Sequence, residues 1–175
     1  MKASKQYDVV IIGGGMVGLT LACSLGQHEF NIAVVEASEP SDMEAGDNYE
    51  LRVSAISKSS QQVFQNINAW QGMLKRRASP YQHMHVWDST GAGKIHFDAA
   101  DLGIDVLGHI VENRAVQFSL YEQCQRLHNV ELLCPQQVKE IHYTEQQSEV
   151  VLDNGHCITT KLLIGADGAN SKVRD

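Results

Sequence analysis

Residues 9–18 read Val-Val-Ile-Ile-Gly-Gly-Gly-Met-Val-Gly, and this stretch decides the fold. The apolar run at its start predicts a buried strand, and the spacing Gly13-x-Gly15-x-x-Gly18 opens a helical pattern directly after it. Gly13 permits the tight turn off the strand, and Gly15 lets the backbone approach a pyrophosphate without a Cβ in the way. Gly18 lets the helix lie close on the sheet. The stretch therefore predicts a strand–loop–helix unit that binds phosphates.

The start of this helix and a later acidic residue extend the prediction to a nucleotide. Backbone N–H groups at Met16 and Val17 and the positive end of the helix dipole favour phosphate oxygens. Glu36 ends a second apolar run, close to the roughly 20 residues after the glycines at which a ribose-binding carboxylate is expected. A carboxylate repels a 2′-phosphate, and no Lys or Arg follows until Arg52. We therefore expect FAD or NAD rather than NADP. The alternative, a glycine-rich turn with a solvated glutamate, is disfavoured because strand, helix and acidic residue occur together.

Composition narrows the class of protein. The 175 residues are 43% hydrophobic and 20% charged, as in an ordinary soluble domain, and the formal net charge of −7 argues against nucleic acid as a partner. The basic cluster Lys75-Arg76-Arg77 is interpreted as a solvated helix end. The apolar run Val9–Ile12 is too short for a signal peptide or a membrane span. A cytoplasmic protein is predicted, with peripheral membrane contact left open.

The four cysteines indicate free thiols. Cys23, Cys124, Cys134 and Cys157 form no C-x-x-C pair, which gives little support to a zinc or redox motif. All four fall in apolar helical or strand-like patterns. Buried, reduced thiols are therefore expected.

Hydrophobic patterning predicts an α/β fold with a parallel sheet. The strands at 7–12 and 32–36, joined by a helix, form a β-α-β unit with a right-handed crossover, and 130–134 is a third candidate parallel strand. A three-stranded β-meander is predicted over 138–143, 149–152 and 156–160, followed by a separate short strand at 161–164. The acidic segment Glu39–Glu50 has no periodicity and is predicted to be a mobile loop.

Residues 81–97 predict a β-hairpin inserted into this fold. The stretches at 83–87 and 94–97 alternate, and a Ser/Thr/Gly turn separates them. His83 and His85 would share one face, with His96 opposite. A metal site is disfavoured because no acidic or cysteine ligand joins the histidines at ligand spacing, so no metal is predicted.

The stretch Gly165-Ala-Asp-Gly-Ala-Asn-Ser-Lys-Val-Arg174 resembles the second fingerprint of FAD-dependent aromatic hydroxylases, the class A flavoprotein monooxygenases. Together with the N-terminal glycine motif it extends the resemblance over the whole chain and implies a Rossmann-like FAD-binding domain with an inserted hairpin from the substrate domain. The resemblance places a set of residues at FAD: the glycine loop, the ribose carboxylate Glu36, Arg52 at the phosphates or ribityl, Arg114 and Gln117 in the segment at the flavin, the backbone of Val138 at the adenine, and the motif aspartate Asp167.

Three of these assignments have alternatives that the residues leave open. Arg52 is also compatible with a surface ion pair. Gln117 is compatible with an exposed helix side chain, and Asp167 with a turn or helix-cap aspartate. The cofactor interpretation is favoured because the positions belong to one pattern.

Within this family the stretches 87–88, 97–100, 109–113 and 164–171 resemble the ubiquinone-biosynthesis hydroxylases. The resemblance implies FAD as cofactor, NAD(P)H as transient reductant, dioxygen as co-substrate and hydroxylation of a polyprenylated phenol or benzoquinol. The ring position is left open, as is contact with the inner membrane or a ubiquinone-biosynthesis complex. No catalytic residue is named, because the cofactor carries the difficult chemistry.

The family's third motif, Gly-Asp-Ala-Ala-His, has no counterpart in this sequence. We therefore expect 1–175 to be the N-terminal part of an FAD-binding domain, truncated and inactive by itself, with 80–110 contributing to the substrate-domain sheet. Weak or absent FAD and self-association are expected. The alternatives are a non-catalytic nucleotide-binding remnant or interaction module, and an FAD-dependent dehydrogenase or oxidase, which the second motif disfavours.

Overall fold

The computed structural model describes residues 5–43 and 48–174, in two compact units. A discontinuous unit comprises Met1–Asp42 and Gln117–Asp175, and an inserted unit comprises Met43–Val116. The elements of the discontinuous unit are β1 (Lys5–Ile12), α1 (Met16–Leu25), β2 (Ile32–Val35), the greater part of α4 (Asn113–Gln125), β8 (Val130–Leu133), β9 (Val138–Tyr143), β10 (Ser148–Leu152) and β11 (Cys157–Gly165). Those of the inserted unit are β3 (Val53–Ser57), α2 (Lys58–Asn66), α3 (Trp70–Arg76), β4 (Ala78–Tyr81), β5 (His83–Trp87), β6 (Lys94–Asp98) and β7 (Gly108–Glu112).

One six-stranded sheet organises the discontinuous unit, in the order β8-β2-β1-β11-β10-β9. The first four strands are parallel, and β11, β10 and β9 continue as an antiparallel meander. All four residues of β2 are buried, which is typical of a parallel strand covered on both faces. The predicted α/β fold with parallel β1 and β2, a third parallel strand and a meander is confirmed.

The meander and the parallel sheet share a strand, and this corrects one prediction. The two strands predicted at 156–160 and 161–164 form the single strand β11. Its first half pairs antiparallel with β10, while its length pairs parallel with β1, from Lys5 opposite Ile158 to Ile12 opposite Gly165. The exposed Lys161 looks like a boundary in the sequence, but it is an outward-facing residue of one strand whose pairing with β1 is present on both sides of it.

Two helices bury two of the four cysteines that were predicted to be buried, whereas the other two are more exposed than expected. Cys23 of α1 and Cys124 of α4 are fully buried, and their Sγ atoms lie 3.2 Å apart as free thiols. Cys134 and Cys157 are also free but half-buried. On the meander side, strands β1 and β2 contribute to a core cluster with β9–β11, formed by Tyr7, Val10, Ile12, Ala33, Val35, Val138, Val150, Leu152 and Ile158.

The inserted unit contains a three-stranded antiparallel sheet, β3-β7-β4, and a separate two-stranded sheet of β5 and β6. The latter confirms the predicted hairpin. The extent of helix α3 and the strand β4 were not predicted, because the segment 70–81 is too short for a clear period. The basic cluster does end a helix, α3, but Arg77 is only half-exposed and pairs with the buried carboxylate of Glu112 at 3.1 Å. The interpretation of this cluster as wholly solvated is therefore wrong at Arg77.

The predicted mobile segment Glu39–Glu50 falls partly outside the described residues, which omit 44–47. Its described residues form no helix or strand. The carbonyl of Asn48 accepts hydrogen bonds from Arg77 and Arg114, and the Glu50 N–H donates to Glu112 at 3.1 Å. Mobility of this segment stays a prediction. Among the described residues, no helix is long and apolar enough to cross a membrane.

Candidate functional site

The glycine loop lies between β1 and α1 and closely approaches neighbouring backbone. Gly13 has a φ of +107°, a region that L side chains rarely adopt, and a Cβ there would lie 2.4 Å from the Ala166 carbonyl oxygen. A Cβ on Gly18 would lie 2.0 Å from the Gly13 carbonyl oxygen. A Cβ on Gly15 would meet no described atom within 4 Å. Gly13 and Gly18 are therefore required by packing, while Gly15 borders open space.

The first turn of α1 is suited to an anion. Gly15 is its N-cap residue and has no side chain to cap with, so the first N–H groups of this ten-residue helix remain available to a ligand. Met16 and Val17 form that first turn, and Val17 is largely exposed. No acidic side chain lies in the turn to compete with a phosphate.

Glu36 follows β2 and is tied to the glycine loop. Its Oε2 accepts a hydrogen bond from the Gly14 N–H at 2.6 Å, and its Oε1 accepts one from the Ser38 N–H at 3.1 Å. Oε1 also accepts a hydrogen bond from the Ser38 hydroxyl at 3.4 Å. A carboxylate has about four lone-pair sites, so these three bonds leave capacity for a ribose hydroxyl. The half-buried carboxylate is thus held in place at the carboxyl end of the strand.

A groove of about 440 Å³ brings five predicted site residues together. It opens at the carboxyl ends of β1 and β2, the edge at which open α/β sheets bind ligands. Its lining is Ile12, Gly13, Gly15, Val35, Glu36, Ala37, Gln136, Gln137, Val138, Ala166, Asp167, Gly168, Asn170 and Lys172. The predicted Gly13, Gly15, Glu36, Val138 and Asp167 therefore surround one space.

Gln117 reaches the glycine loop from α4. Its Nε2 donates to the Gly14 carbonyl oxygen at 2.8 Å. Gly14 is thus held from two sides, because its N–H bonds Glu36 and its carbonyl bonds Gln117. The alternative of an exposed helix side chain is wrong, since Gln117 braces the loop. Its contact with a flavin stays a prediction.

The second glycine motif closes the far side of the groove. Asp167 Oδ2 accepts a hydrogen bond from the Lys172 N–H at 2.8 Å, and Lys172 Nζ donates to the Val138 carbonyl oxygen at 2.6 Å. Burial by itself would raise the pKa of Asp167, but hydrogen bonds from Ser171 and from backbone N–H groups outweigh it and lower the pKa. Asp167 therefore acts as an ionised brace of the turn that lines the groove.

Arg52 and Arg114 belong to the inserted unit. Arg52 is exposed, and its carbonyl accepts the Asn113 N–H at 3.0 Å. Arg114 donates to the Asn48 carbonyl at 3.1 Å, and its Nε lies 3.5 Å from Glu112 Oε2. Their roles at a cofactor stay predictions.

Glu112 is a buried carboxylate of the inserted unit, with 4% of its surface exposed. Burial would raise the pKa of its carboxyl group. Hydrogen bonds from the Glu50 N–H and Arg77, with the positive charges of Arg77 and Arg114, outweigh this effect and lower the pKa. Glu112 is therefore a carboxylate that orients two arginines.

A second, larger cavity of about 490 Å³ lies in the discontinuous unit and is lined by Lys5, Tyr7, Glu131, Cys134 and His156 among others. Glu131 accepts hydrogen bonds there from Tyr7 and Lys5. Burial raises the pKa of Tyr7. This cavity is not lined by the glycine loop or by a helix N-terminus, so the smaller groove is the better nucleotide site.

The sequence from residue 6 to residue 175 matches the family described as FAD binding domain. This chain belongs to the FAD binding domain family. The match covers the glycine loop, Glu36 and the second glycine motif, so it includes every residue lining the groove.

Two relatives from curated proteins match nearly the whole chain. The 3-demethoxyubiquinol 3-hydroxylase of Escherichia coli (strain K12) is 37% identical over 171 residues, covering 98% of this chain and 44% of that protein. The mitochondrial ubiquinone biosynthesis monooxygenase COQ6 of Danio rerio is 36% identical, covering 98% of this chain and 38% of that protein. The resemblance to ubiquinone-biosynthesis hydroxylases is confirmed. The chain spans less than half of the length of these relatives.

Solved structures share the fold. The p-nitrophenol 4-monooxygenase PnpA of Pseudomonas putida DLL-E4 superimposes with a TM-score of 0.76 at 22% identity, over 97% of this chain and 43% of that one. The pqsL protein of Pseudomonas aeruginosa gives a TM-score of 0.73 at 20% identity, over 97% of this chain and 44% of that one. At this identity the likeness supports the Rossmann-like fold alone.

The residues of the groove fit the adenosine and pyrophosphate part of FAD. Gly15 leaves open space at the N-terminus of α1 for a phosphate, and Glu36 presents a fixed carboxylate at the neighbouring strand end. Gly14 and Lys172, which bond to Glu36 and to the Val138 carbonyl, were not among the predicted site residues. The Gly-Gly-Gly run is the signal for Gly14, whereas the long-range contact of Lys172 leaves no local signal.

Proposed function

We propose that this chain binds the ADP half of FAD and serves as the FAD-binding part of a hydroxylase of ubiquinone biosynthesis. The observation that carries this proposal is the groove in which Gly13, Gly15, Glu36, Val138 and Asp167 converge. Glycine backbone, a helix N-terminus and a fixed carboxylate are the three groups that a pyrophosphate and a ribose require.

Each residue has a separate task in this proposal. The N–H groups at the start of α1, at Met16 and Val17, bind the pyrophosphate, and Glu36 accepts hydrogen bonds from the ribose. Gln117 holds the loop, and Asp167 holds the turn on the opposite side of the groove. FAD, when bound, supplies the redox chemistry that activates dioxygen, and these residues fix its position.

The finer assignments rest on the resemblance and on the names of the relatives. We propose NAD(P)H as the reductant, dioxygen as the oxidant and a polyprenylated phenol or benzoquinol as the substrate, with action at the inner membrane periphery. The name of the E. coli relative, a 3-demethoxyubiquinol 3-hydroxylase, supports a ring hydroxylation. In the chain as it stands we expect weak FAD binding, no hydroxylation by itself, and self-association.

A competition titration tests the nucleotide site. Binding of FAD to the purified chain is followed by calorimetry, with ADP, FMN or NADP⁺ present as competitor. We expect ADP to compete with FAD and FMN not to compete, because the groove binds the adenosine half. NADP⁺ should compete poorly, since Glu36 repels its 2′-phosphate. Competition by FMN but not by ADP would contradict the proposal.

The second candidate is a nucleotide-binding module without catalysis, because the residues of the groove hold and position a nucleotide and none of them is assigned a chemical step. Anaerobic reduction of bound FAD by NADH or NADPH separates the two, because it requires a flavin held for reduction but no hydroxylation. Bleaching of the flavin that requires the chain supports a competent flavin site, whereas FAD binding without reduction supports the module.

A further inference from the structure

The hairpin of β5 and β6 carries a cluster of metal-ligating side chains that the nucleotide site does not use. The strands pair antiparallel, with His83 opposite Asp98 and His85 opposite His96. Side chains alternate across a strand, so these four residues lie on one face of the ribbon. Met84, Val86, Ile95 and Phe97 occupy the other face.

From the sequence, a metal site was disfavoured here because no acidic or cysteine ligand joins the histidines at ligand spacing. The structure corrects that premise, since the ladder continues to Asp98, one residue beyond the predicted end of the hairpin. His83 Nδ1 lies 3.3 Å from Asp98 Oδ2. The rings of His83 and His96 are stacked at 6.0 Å between centroids with an interplanar angle of 13°.

We propose that His83, His96 and Asp98 form a binding site for a first-row divalent transition metal such as Zn²⁺. One ligand atom from each residue lies within 4.8 Å of the other two. Metal–nitrogen and metal–oxygen bonds of about 2.0–2.2 Å place two ligand atoms on one ion up to roughly 4 Å apart, so small rotations of the side chains complete the site.

The ligand set decides the class of metal. Two imidazoles and one carboxylate suit Zn²⁺, Co²⁺, Ni²⁺ or Cu²⁺, whereas Mg²⁺ and Ca²⁺ prefer oxygen ligands. Three protein ligands leave at least one coordination position for water. His85 lies beside His96, with 5.5 Å between ring centroids, but is outside the three-ligand group.

The position of the site gives the metal a structural role. β5 and β6 form a sheet of only two strands, and an isolated hairpin is marginally stable in water. His83 comes from β5, while His96 and Asp98 come from β6. A bound ion would therefore join the two strands and stabilise the hairpin.

Zinc titration of the metal-free chain tests this proposal, with affinity measured by competition against a chromophoric chelator. We expect one Zn²⁺ per chain, and a loss of affinity of about tenfold or more in His83→Ala, His96→Gln and Asp98→Asn. Asp98→Asn keeps an oxygen for the Ala100 N–H, which Oδ1 accepts at 2.9 Å. His85→Ala should retain the affinity, and Mg²⁺ should not compete.

The matched control is His142→Ala. His142 lies 3.5 Å from Glu140 on β9 and is comparably exposed, with 56% of its side chain accessible against 62% for His83. It has a carboxylate partner but is not part of the three-ligand group, so its loss should leave zinc affinity unchanged.

Hydrogen exchange gives the second measurement. Zn²⁺ should slow exchange of the amides of β5 and β6 in the unsubstituted chain and in His142→Ala, but not in His96→Gln. Absence of zinc binding, zinc affinity unaltered in both His83→Ala and His96→Gln, or an equal loss in His142→Ala would overturn the site.

Discussion

The carboxylate of Glu36 is bonded to the backbone of Gly14, whose N–H donates to Oε2 at 2.6 Å. A Cβ on Gly14 would lie 2.8 Å from the Glu36 Cβ, so only glycine allows this approach. The loop that would receive the pyrophosphate and the carboxylate that would receive the ribose are therefore one hydrogen-bonded structure, set before any ligand arrives.

Glu36→Ala should weaken FAD binding through loss of the ribose contact. A hydrogen bond to a charged group contributes about 1.5–3 kcal/mol, which corresponds to roughly 10- to 150-fold in the dissociation constant. Calorimetric titration with FAD and with ADP measures the change, and both ligands should lose affinity alike. Glu145→Ala, an exposed carboxylate in the turn after β9, is the control. Equal affinity in the two variants would remove Glu36 from the site.

Gly15→Ala and Gly18→Ala should separate binding from folding. A Cβ at Gly15 meets no described atom within 4 Å, and its φ of −75° suits alanine, so unfolding free energy should fall by less than about 1 kcal/mol. A Cβ at Gly18 lies 2.0 Å from the Gly13 carbonyl, and such overpacking costs about 1–3 kcal/mol or more. Denaturant unfolding and FAD titration are measured together. Gly15→Ala should lose FAD affinity while it stays folded; a stable Gly18→Ala with full affinity would contradict the assignment.

Local patterns were sufficient to predict the part of the fold that forms the groove. The glycine spacing, the apolar strands and Glu36 are each encoded within a few residues, and the strand–helix–strand unit follows from them. The register of the hairpin and the length of β11 depend instead on pairing between distant strands. Asp98 and Lys161 were misread for that reason, since the pairing that extends each strand past these residues is not visible in the sequence.

The ion pairs of the inserted unit could not be predicted from the sequence either, because they join residues that are distant in the chain. Arg77 follows α3 and Glu112 ends β7, and only tertiary folding brings them to 3.1 Å. In the sequence, Arg77 is one of three consecutive basic residues, which is the usual pattern of a solvated surface. Glu112 is buried, and the cost of removing its negative charge from water must be offset by a nearby positive charge, which Arg77 provides.

Glu112→Gln should lower the free energy of unfolding, and this loss should be smaller at acid pH than at pH 7. The substitution removes the negative charge between Arg77 and Arg114, and because both arginines are partly exposed we expect a loss of about 1–3 kcal/mol at pH 7. The lowered pKa of Glu112 means that its ionised form stabilises the fold above the usual carboxyl range. That contribution disappears as pH falls through the lowered pKa, below the ordinary value of 4.5.

Urea unfolding at pH 7 and at successively lower pH measures this difference between Glu112→Gln and the unsubstituted chain. The difference should shrink toward acid. Glu140→Gln, an exposed carboxylate on β9, should differ from the parent by less than about 0.5 kcal/mol throughout. A difference for Glu112→Gln that grows as pH falls would show that the carboxyl group has a raised pKa.

The apolar face of the hairpin should make the chain self-associate. Val86, Ile95 and Phe97 are 49%, 57% and 48% exposed on one face of a sheet that has only two strands. Trp87 is exposed as well, but it pairs with Lys94 and lies on the opposite face. Two copies that pack these faces together would remove apolar surface from water. Sedimentation equilibrium at several concentrations should therefore show a dimer.

Ile95→Lys should shift the equilibrium toward monomer, because a charge placed in the apolar contact must be desolvated. Lys94→Gln changes a charge on the other face and should leave it unaltered. A monomer at every concentration, or equal dissociation by both substitutions, would show that this face does not mediate association.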